Sequence, residues 1–317
     1  MSSSIKVLFI IVLCLVVSFG CTVSKTKIPM ATGAPTGIYE SLGNAYAELV
    51  NEKSGKVYIS TIGTSGSVEN CKLLEAKKVK LSMVQNDILD FAYKGAEVFE
   101  GEKISSLRAI ASLYSEVVHI VVRKDSNIKS LEDLKGKRLS VGSPGSGVEV
   151  NSRQIFTAAG MSYNDIAANF LNLDEAAAQF KQNLIDGFIF TSGTENATIQ
   201  ELASEINIAL VPLSDEIVGR LEDKYHYMSE YIMSSGTYIG QDKDIKSIAV
   251  RASLVTRDDV PESLVYELTK LLFDSRDSLT QNNKTGLQIK LESALNDISI
   301  PIHRGAERYY REKGIIK

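Results

Sequence analysis

Apolar and polar positions along this chain switch between two periods, and the switches mark out its elements. Residues 28–31, 57–62, 80–84, 138–141 and 188–190 are short apolar or β-branched runs of strand length. Each leads into a polar loop and then into apolar positions at helical spacing. After the first run, Leu42, Ala45, Tyr46, Leu49 and Val50 recur on one helix face. After the fourth, Ile155, Phe156, Ala158 and Ala159 do so, up to a Gly160 stop. Strand, loop and helix repeated in this order predict an α/β fold with parallel or mixed sheets. Two longer extended stretches, 107–122 and 247–256, stand far apart in sequence. They suit a chain that crosses from one lobe into another and returns. Lobe 1 then takes 28–116 and 251–317, and lobe 2 takes 117–250. An amphipathic helix is expected over 259–279, and Pro301 and Gly305 punctuate the last turn before AERYYREKG.

The loops carry the candidate chemistry. In α/β sheets the loops leaving the strand C-termini gather on one edge, where ligands bind. Here they read TGAPTG (32–37), GTSGS (63–67), QND (85–87), SVGSPGSGVEV (140–150) and TSGT (191–194). Glycine lets a ligand approach the backbone, and the first N–H groups of a helix have no partner within it. Ser and Thr hydroxyls cap those groups or turn outward, and the helix dipole favours an anion. Nucleotide binding fails on spacing. Gly147 is followed by Val148-Glu149 rather than Lys-Ser or Lys-Thr, and the glycines at 142, 145 and 147 reverse the dinucleotide pattern.

Ser143, Ser146, Gly147 and Val148 are therefore candidate anion contacts, with Gly147 the point where a ligand meets backbone. Glu149 either caps its helix or reads an amino group. Thr36 and Gly37 belong to the first loop, and Tyr39 after it either touches the ligand or packs on its own helix. Thr64, Ser65 and Ser67 donate to a carboxylate or cap a helix, two roles that share a geometry. Gln85, Asn86 and Asp87 sit where a strand ends, and Asp87 either meets an ammonium or serves as an N-cap. Thr191, Ser192 and Gly193 line the same edge. Tyr238 joins them from near the returning crossover.

Composition narrows the classes. The 317 residues are 44% hydrophobic and 23% charged with a net charge of −4, and no basic block offers a nucleic-acid face. Lys6, the apolar run 7–17 and Ser-Phe-Gly-Cys at 18–21 describe an export signal over 1–20. The segment resembles a lipobox, with Cys21 as the lipid-bearing residue and 21–27 as a tether. Cys71 then has no disulfide partner in the mature chain and lies on a helix pattern, which fits a packed thiol. His119, His226 and His303 are isolated, so no metal site is expected, nor any cofactor. GTSGS lacks the last glycine of a hydrolase elbow, and no nucleophile–base pair is evident. Catalysis is not expected.

Taken in order, TGAPTGIYESLG, TIGTSGSVEN, MVQNDILDF, LKGKRLSVGSPGSGVEV, GTYIGQDKDIKSIAVRASLVTRDDVPESLVYELTKLLF and PIHRGAERYYREKG resemble the TAXI-type solute-binding proteins. These are extracytoplasmic receptors of a class of TRAP transporters. The resemblance runs from residue 28 nearly to the end. It implies a two-lobed periplasmic-binding-protein fold of type II-like form, with the ligand cleft between the lobes. It further implies capture of a small carboxylate-bearing solute, a glutamate- or glutamine-like amino acid or an organic acid. A TRAP membrane permease would receive it from a membrane-anchored monomer. The alternative is a surface lipoprotein acting as antigen or adhesin, which needs no small ligand in a closed cleft.

Overall fold

The computed structural model describes residues 25–280 and 284–317. The expected export signal over 1–20, Cys21 and most of the expected tether lie outside the described residues. The chain runs β1 (Thr26–Ala31), α1 (Ile38–Lys53), β2 (Val57–Ile62), α2 (Ser67–Glu75), β3 (Leu81–Gln85), α3 (Asn86–Lys94) and the long β4 (Leu107–Arg123). Next come β5 (Arg138–Ser140), α4 (Gly147–Ala158), β6 (Ala167–Asn169), α5 (Leu173–Lys181), β7 (Gly187–Ser192) and α6 (Ala197–Glu205). The rest is β8 (Ile208–Leu210), α7 (Asp215–Lys224), β9 (Ser229–Met233), β10 (Ile245–Arg257), α8 (Glu262–Asp274), α9 (Arg276–Thr280) and α10 (Arg304–Glu312). The helix expected over 259–279 is thus two helices, interrupted at Ser275.

A curled sheet orders the strands β2-β1-β3-β10-β4-β7-β5-β6, with β8 on β4 and β9 on β10. One pattern occurs twice in it. β1 lies between β2 and β3, all parallel, and β5 lies between β6 and β7, again all parallel. An antiparallel strand closes each trio, β10 beside β3 and β4 beside β7. β4 pairs with β10 from Leu107 to Val117 and with β7 from Val117 to Val122. The long apolar run of 107–122 is needed because this strand is covered through both halves of the sheet.

The core follows the same division. Ile28, Leu42 and Tyr46 pack with Leu268, Leu272 and Tyr310, so the C-terminal helices complete the core of the first trio. Phe180, Phe188, Phe190 and Leu202 fill the core of the second. Another cluster joins Val84 and Ile88 to Val150 and Ile155, bridging the halves. Full burial of one such side chain contributes roughly 1.5–3 kcal/mol. Cys71 is a free, fully buried thiol in this bridging cluster, as its place on an apolar helix face implied. Among the described residues no helix is long and apolar enough to cross a membrane.

Candidate functional site

In a parallel trio every strand points the same way, so each following helix starts at the same sheet edge. Here the two trios face each other across a cavity of about 110 Å³. Its lining includes the residue immediately preceding each of six helices: Gly37 (α1), Gly66 (α2), Gln85 (α3), Ser146 (α4), Asn172 (α5) and Asn196 (α6). The positive ends of all six dipoles therefore meet at one place, each equivalent to roughly half a positive charge.

The two halves differ in how those helix ends are satisfied. Ser146, Asn172 and Asn196 accept from the backbone N–H of Glu149, Glu175 and Ile199, so α4, α5 and α6 are capped by side chains. Gly37, Gly66 and Gln85 give α1, α2 and α3 no side-chain cap. Each cap takes only one of the first N–H groups of its helix, so both halves keep helix-terminal amides at the cavity. Gly66 sits at φ 128°, a conformation that favours glycine.

The opposing walls are in contact. Glu69 N donates to Gly145 O at 3.1 Å, and Thr36 Oγ1 donates to Asp174 at the rim. Deeper, Asn151 Nδ2 donates to Asp87 Oδ2 at 2.7 Å, and Thr191 Oγ1 donates to Asn151 Oδ1 at 3.0 Å. Burial pushes the Asp87 carboxyl up to about 7, against the hydrogen bonds it accepts. Contacts between the halves thus border the cavity at its rim and behind its wall.

Gln85, Gly37, Tyr39, Ser65, Ser67, Ser143, Ser146, Gly147, Val148, Thr191 and Ser192 all reach the lining, as their loops predicted. The other candidates do not. Thr64 turns inward, donating to Asn70 Oδ1 at 2.7 Å to shape the turn before α2. Thr36 is spent at the rim. Asn86 accepts from Arg251 N at 3.0 Å and so ties α3 to β10. Asp87 faces α4 rather than the cavity. Gly193 packs against Ile38 and Tyr114, where a Cβ would come 2.8 Å from Ile38 Cδ1. Tyr238 lies behind the wall. It accepts from Asn196 N at 3.2 Å and donates to His119 Nε2 at 3.0 Å, so it positions the α6 cap. Burial lowers His119 to about 4, which keeps its ring neutral, with Nδ1 donating to Val117 O at 2.8 Å. Glu149 pairs with Arg153 at 2.6 Å, outside the cavity.

Gly147 corrects a reason rather than a residue. A Cβ there would lie 1.7 Å from Gln85 Oε1 and 2.5 Å from Gln85 Cδ. What approaches its backbone is a side chain from the opposite trio. Gln85 is 3% exposed. Its Oε1 accepts no hydrogen bond from any described residue.

Two parts of the site escaped the sequence reading. The first is an apolar wall, Leu171, Leu173, Ala176, Phe188 and Phe190, much of it brought by β6 and the start of α5. The second is Glu116, 4% exposed and in the lining. It accepts from Tyr39 Oη at 2.8 Å and from Tyr114 Oη at 3.4 Å. Burial pushes its carboxyl up to about 8, with Asp87 adding repulsion and the two tyrosine hydroxyls opposing. Among the described residues no Lys or Arg lines the cavity. None of the described His, Cys, Asp and Glu residues forms a group arranged to hold a metal ion.

Similarity to solved structures agrees with this architecture. A Bordetella bronchiseptica RB50 protein matches with a TM-score of 0.57 at 13% identity, over 92% of this chain and 98% of that one. PhnD1 of Prochlorococcus marinus (MIT 9301), solved with methylphosphonate, matches with a TM-score of 0.56 at 14% identity, over 92% and 99%. The GshT structure, described in terms of glutathione import and the cystine ABC importer TcyBC of Streptococcus mutans, gives 0.51 at 17% identity over 86% and 98%. At these identities the likeness is one of fold, that of the periplasmic solute-binding proteins. A family model describes residues 30–314, nearly the whole described fold, and by that match the chain belongs to the NMT1-like family.

Proposed function

We propose that the protein is an extracytoplasmic solute-binding protein that captures a small carboxylate-bearing solute in this cavity and releases it unchanged. The carrying observation is the convergence of six helix N-termini on a cavity with no Lys or Arg in its described lining. Such a site holds an anion through backbone dipoles and serine hydroxyls. At about 110 Å³ the cavity is somewhat smaller than the roughly 150 Å³ that takes benzene, so it suits a small solute. Lobe 1 comprises 28–116 and 251–317 and lobe 2 comprises 117–250. This division is supported by β4 changing partners at Val117 and by a core of its own within each trio, the two joined by the bridging cluster. Closure of the lobes then completes the site, which favours the closed form when solute is bound.

The resemblance to TAXI-type receptors supports delivery to a TRAP permease, and the N-terminal pattern supports export and a lipid anchor at Cys21. A second reading, delivery to an ABC importer, rests on the similarity to GshT, which serves glutathione import through the cystine ABC importer TcyBC. Purified chain should be screened by thermal shift against amino acids, organic acids, sulfonates and phosphonates. A cognate solute at a hundredfold excess over its dissociation constant should stabilise the fold by about 2.7 kcal/mol. A panel in which no acid shifts the protein would remove the proposal.

A further inference from the structure

Glu116 is the group in this cavity that anion capture does not use. It sits where β4 passes from one half of the sheet to the other, opposite Val250 on β10 and one residue before Val117 takes up its pairing with β7. Its carboxyl lines a cavity whose six helix ends call for negative charge on the ligand. A buried carboxylate left without a cation there is costly. The tyrosines do not remove that demand. Tyr39 and Tyr114 each commit a hydroxyl hydrogen to Glu116, which orients the carboxyl, and in its ionised form the remaining lone pairs only accept. The other ionisable group acting on it is Asp87, which adds negative charge. No cation in the described lining answers either one.

We infer that Glu116 reads a protonated amine on the solute, so that the site selects α-amino acids over the corresponding 2-oxo acids. This rests on the reading of the cavity as a trap for a small acid. A zwitterion satisfies both demands together, its carboxylate on the helix N-termini and its ammonium on Glu116. A 2-oxo acid brings only the anion. Closure then buries Glu116 without a cation, and the carboxyl must take up a proton.

The experiment pairs amino acids with their 2-oxo acids: glutamate with 2-oxoglutarate, and valine with 2-oxoisovalerate. Each is titrated calorimetrically at pH 7 into wild type and Glu116→Gln, in two buffers of different ionisation enthalpy. Wild type should prefer the amino acid of a pair by at least about tenfold, because a site built to pair a ligand group rejects the analogue that lacks it. Glu116→Gln keeps the shape, its Oε1 accepting from one tyrosine and its Nε2 donating to the other's hydroxyl oxygen, and should lose most of that preference. In wild type the 2-oxo acid should take up about one more proton on binding than its amino acid. That measurement needs no variant, so it stands even if Glu116→Gln folds poorly. Equal affinity for both members of each pair, an unchanged preference in Glu116→Gln, or equal proton uptake overturns the inference while leaving solute capture intact. If neither member of any pair binds, and no other acid does, the capture reading falls and this inference with it.

Discussion

Gly147→Ala should separate solute affinity from folding. Gly147 opens α4 with ordinary helical backbone, so alanine brings no strain within its own half. The conflict arises only when the halves meet. In the closed form the new methyl would lie 1.7 Å from Gln85 Oε1, so Gln85 must swing away. Gln85 is buried and lines the cavity, and the open space beside it is the cavity of about 110 Å³. Displaced Gln85 therefore competes with solute for room. Overpacking of this kind costs about 1–3 kcal/mol, which corresponds to roughly 5- to 150-fold in dissociation constant. On the proposed closure, the solute-free form parts Gln85 from Gly147 while the bridging core behind them stays packed, so solute-free melting should stay near wild type. Calorimetric titration with the best acid of the screen, alongside solute-free melting, measures both. Gln85→Ala in the Gly147→Ala background should recover part of the lost affinity. Full affinity in Gly147→Ala would refute the argument, because Gln85 would then not be pressed against the α4 backbone in the bound state.

Asp87 gives a pH dependence whose sign is fixed. Its carboxyl rises from an ordinary value of 3.8 to about 7 on burial, so below pH 4 both exposed and buried forms hold the proton. As pH climbs from 4 to 7 the exposed form ionises first, and stability of the closed, folded state is lost over that window and then levels off. Melting followed from pH 4 to 8 should fall accordingly, and Asp87→Asn should flatten the part due to Asp87. Tyr238→Phe removes the hydroxyl between Asn196 N and His119, and urea unfolding should register a loss of about 1 kcal/mol. At Cys21, labelled fatty acid should be incorporated by wild type and not by Cys21→Ser, and equal labelling would exclude the lipid anchor.

Much of the fold could be read from periodicity because its strands are either fully covered or bounded by glycine loops. The runs at 57–62, 80–84 and 188–190 became β2, β3 and the middle of β7 within a residue or two. β6 was illegible: its residues, Ala-Ala-Asn, carry neither alternation nor β-branched character. With β6 went the 171–173 segment, and so half of the apolar wall. The loop residues of the site were legible because capping and ligand contact favour the same Gly, Ser and Asn types. Glu116 was not, because a single acid in a long apolar strand has no local pattern. Its meaning depends on Tyr39, 77 residues away. Asp87 and Tyr238 were legible as polar groups near strand ends but not in their direction, which packing between the halves decides.

The central claim is that backbone dipoles at six helix N-termini hold the acid group of a solute between the halves. A crystal structure with the acid that gives the largest thermal shift tests it most directly. The account predicts the carboxylate within hydrogen-bonding distance of backbone N–H groups at the starts of the helices that meet at the cavity, enclosed by the α4 loop and Gln85. A solute seated outside this cavity, or an acid group held chiefly by a Lys or Arg side chain, would contradict it.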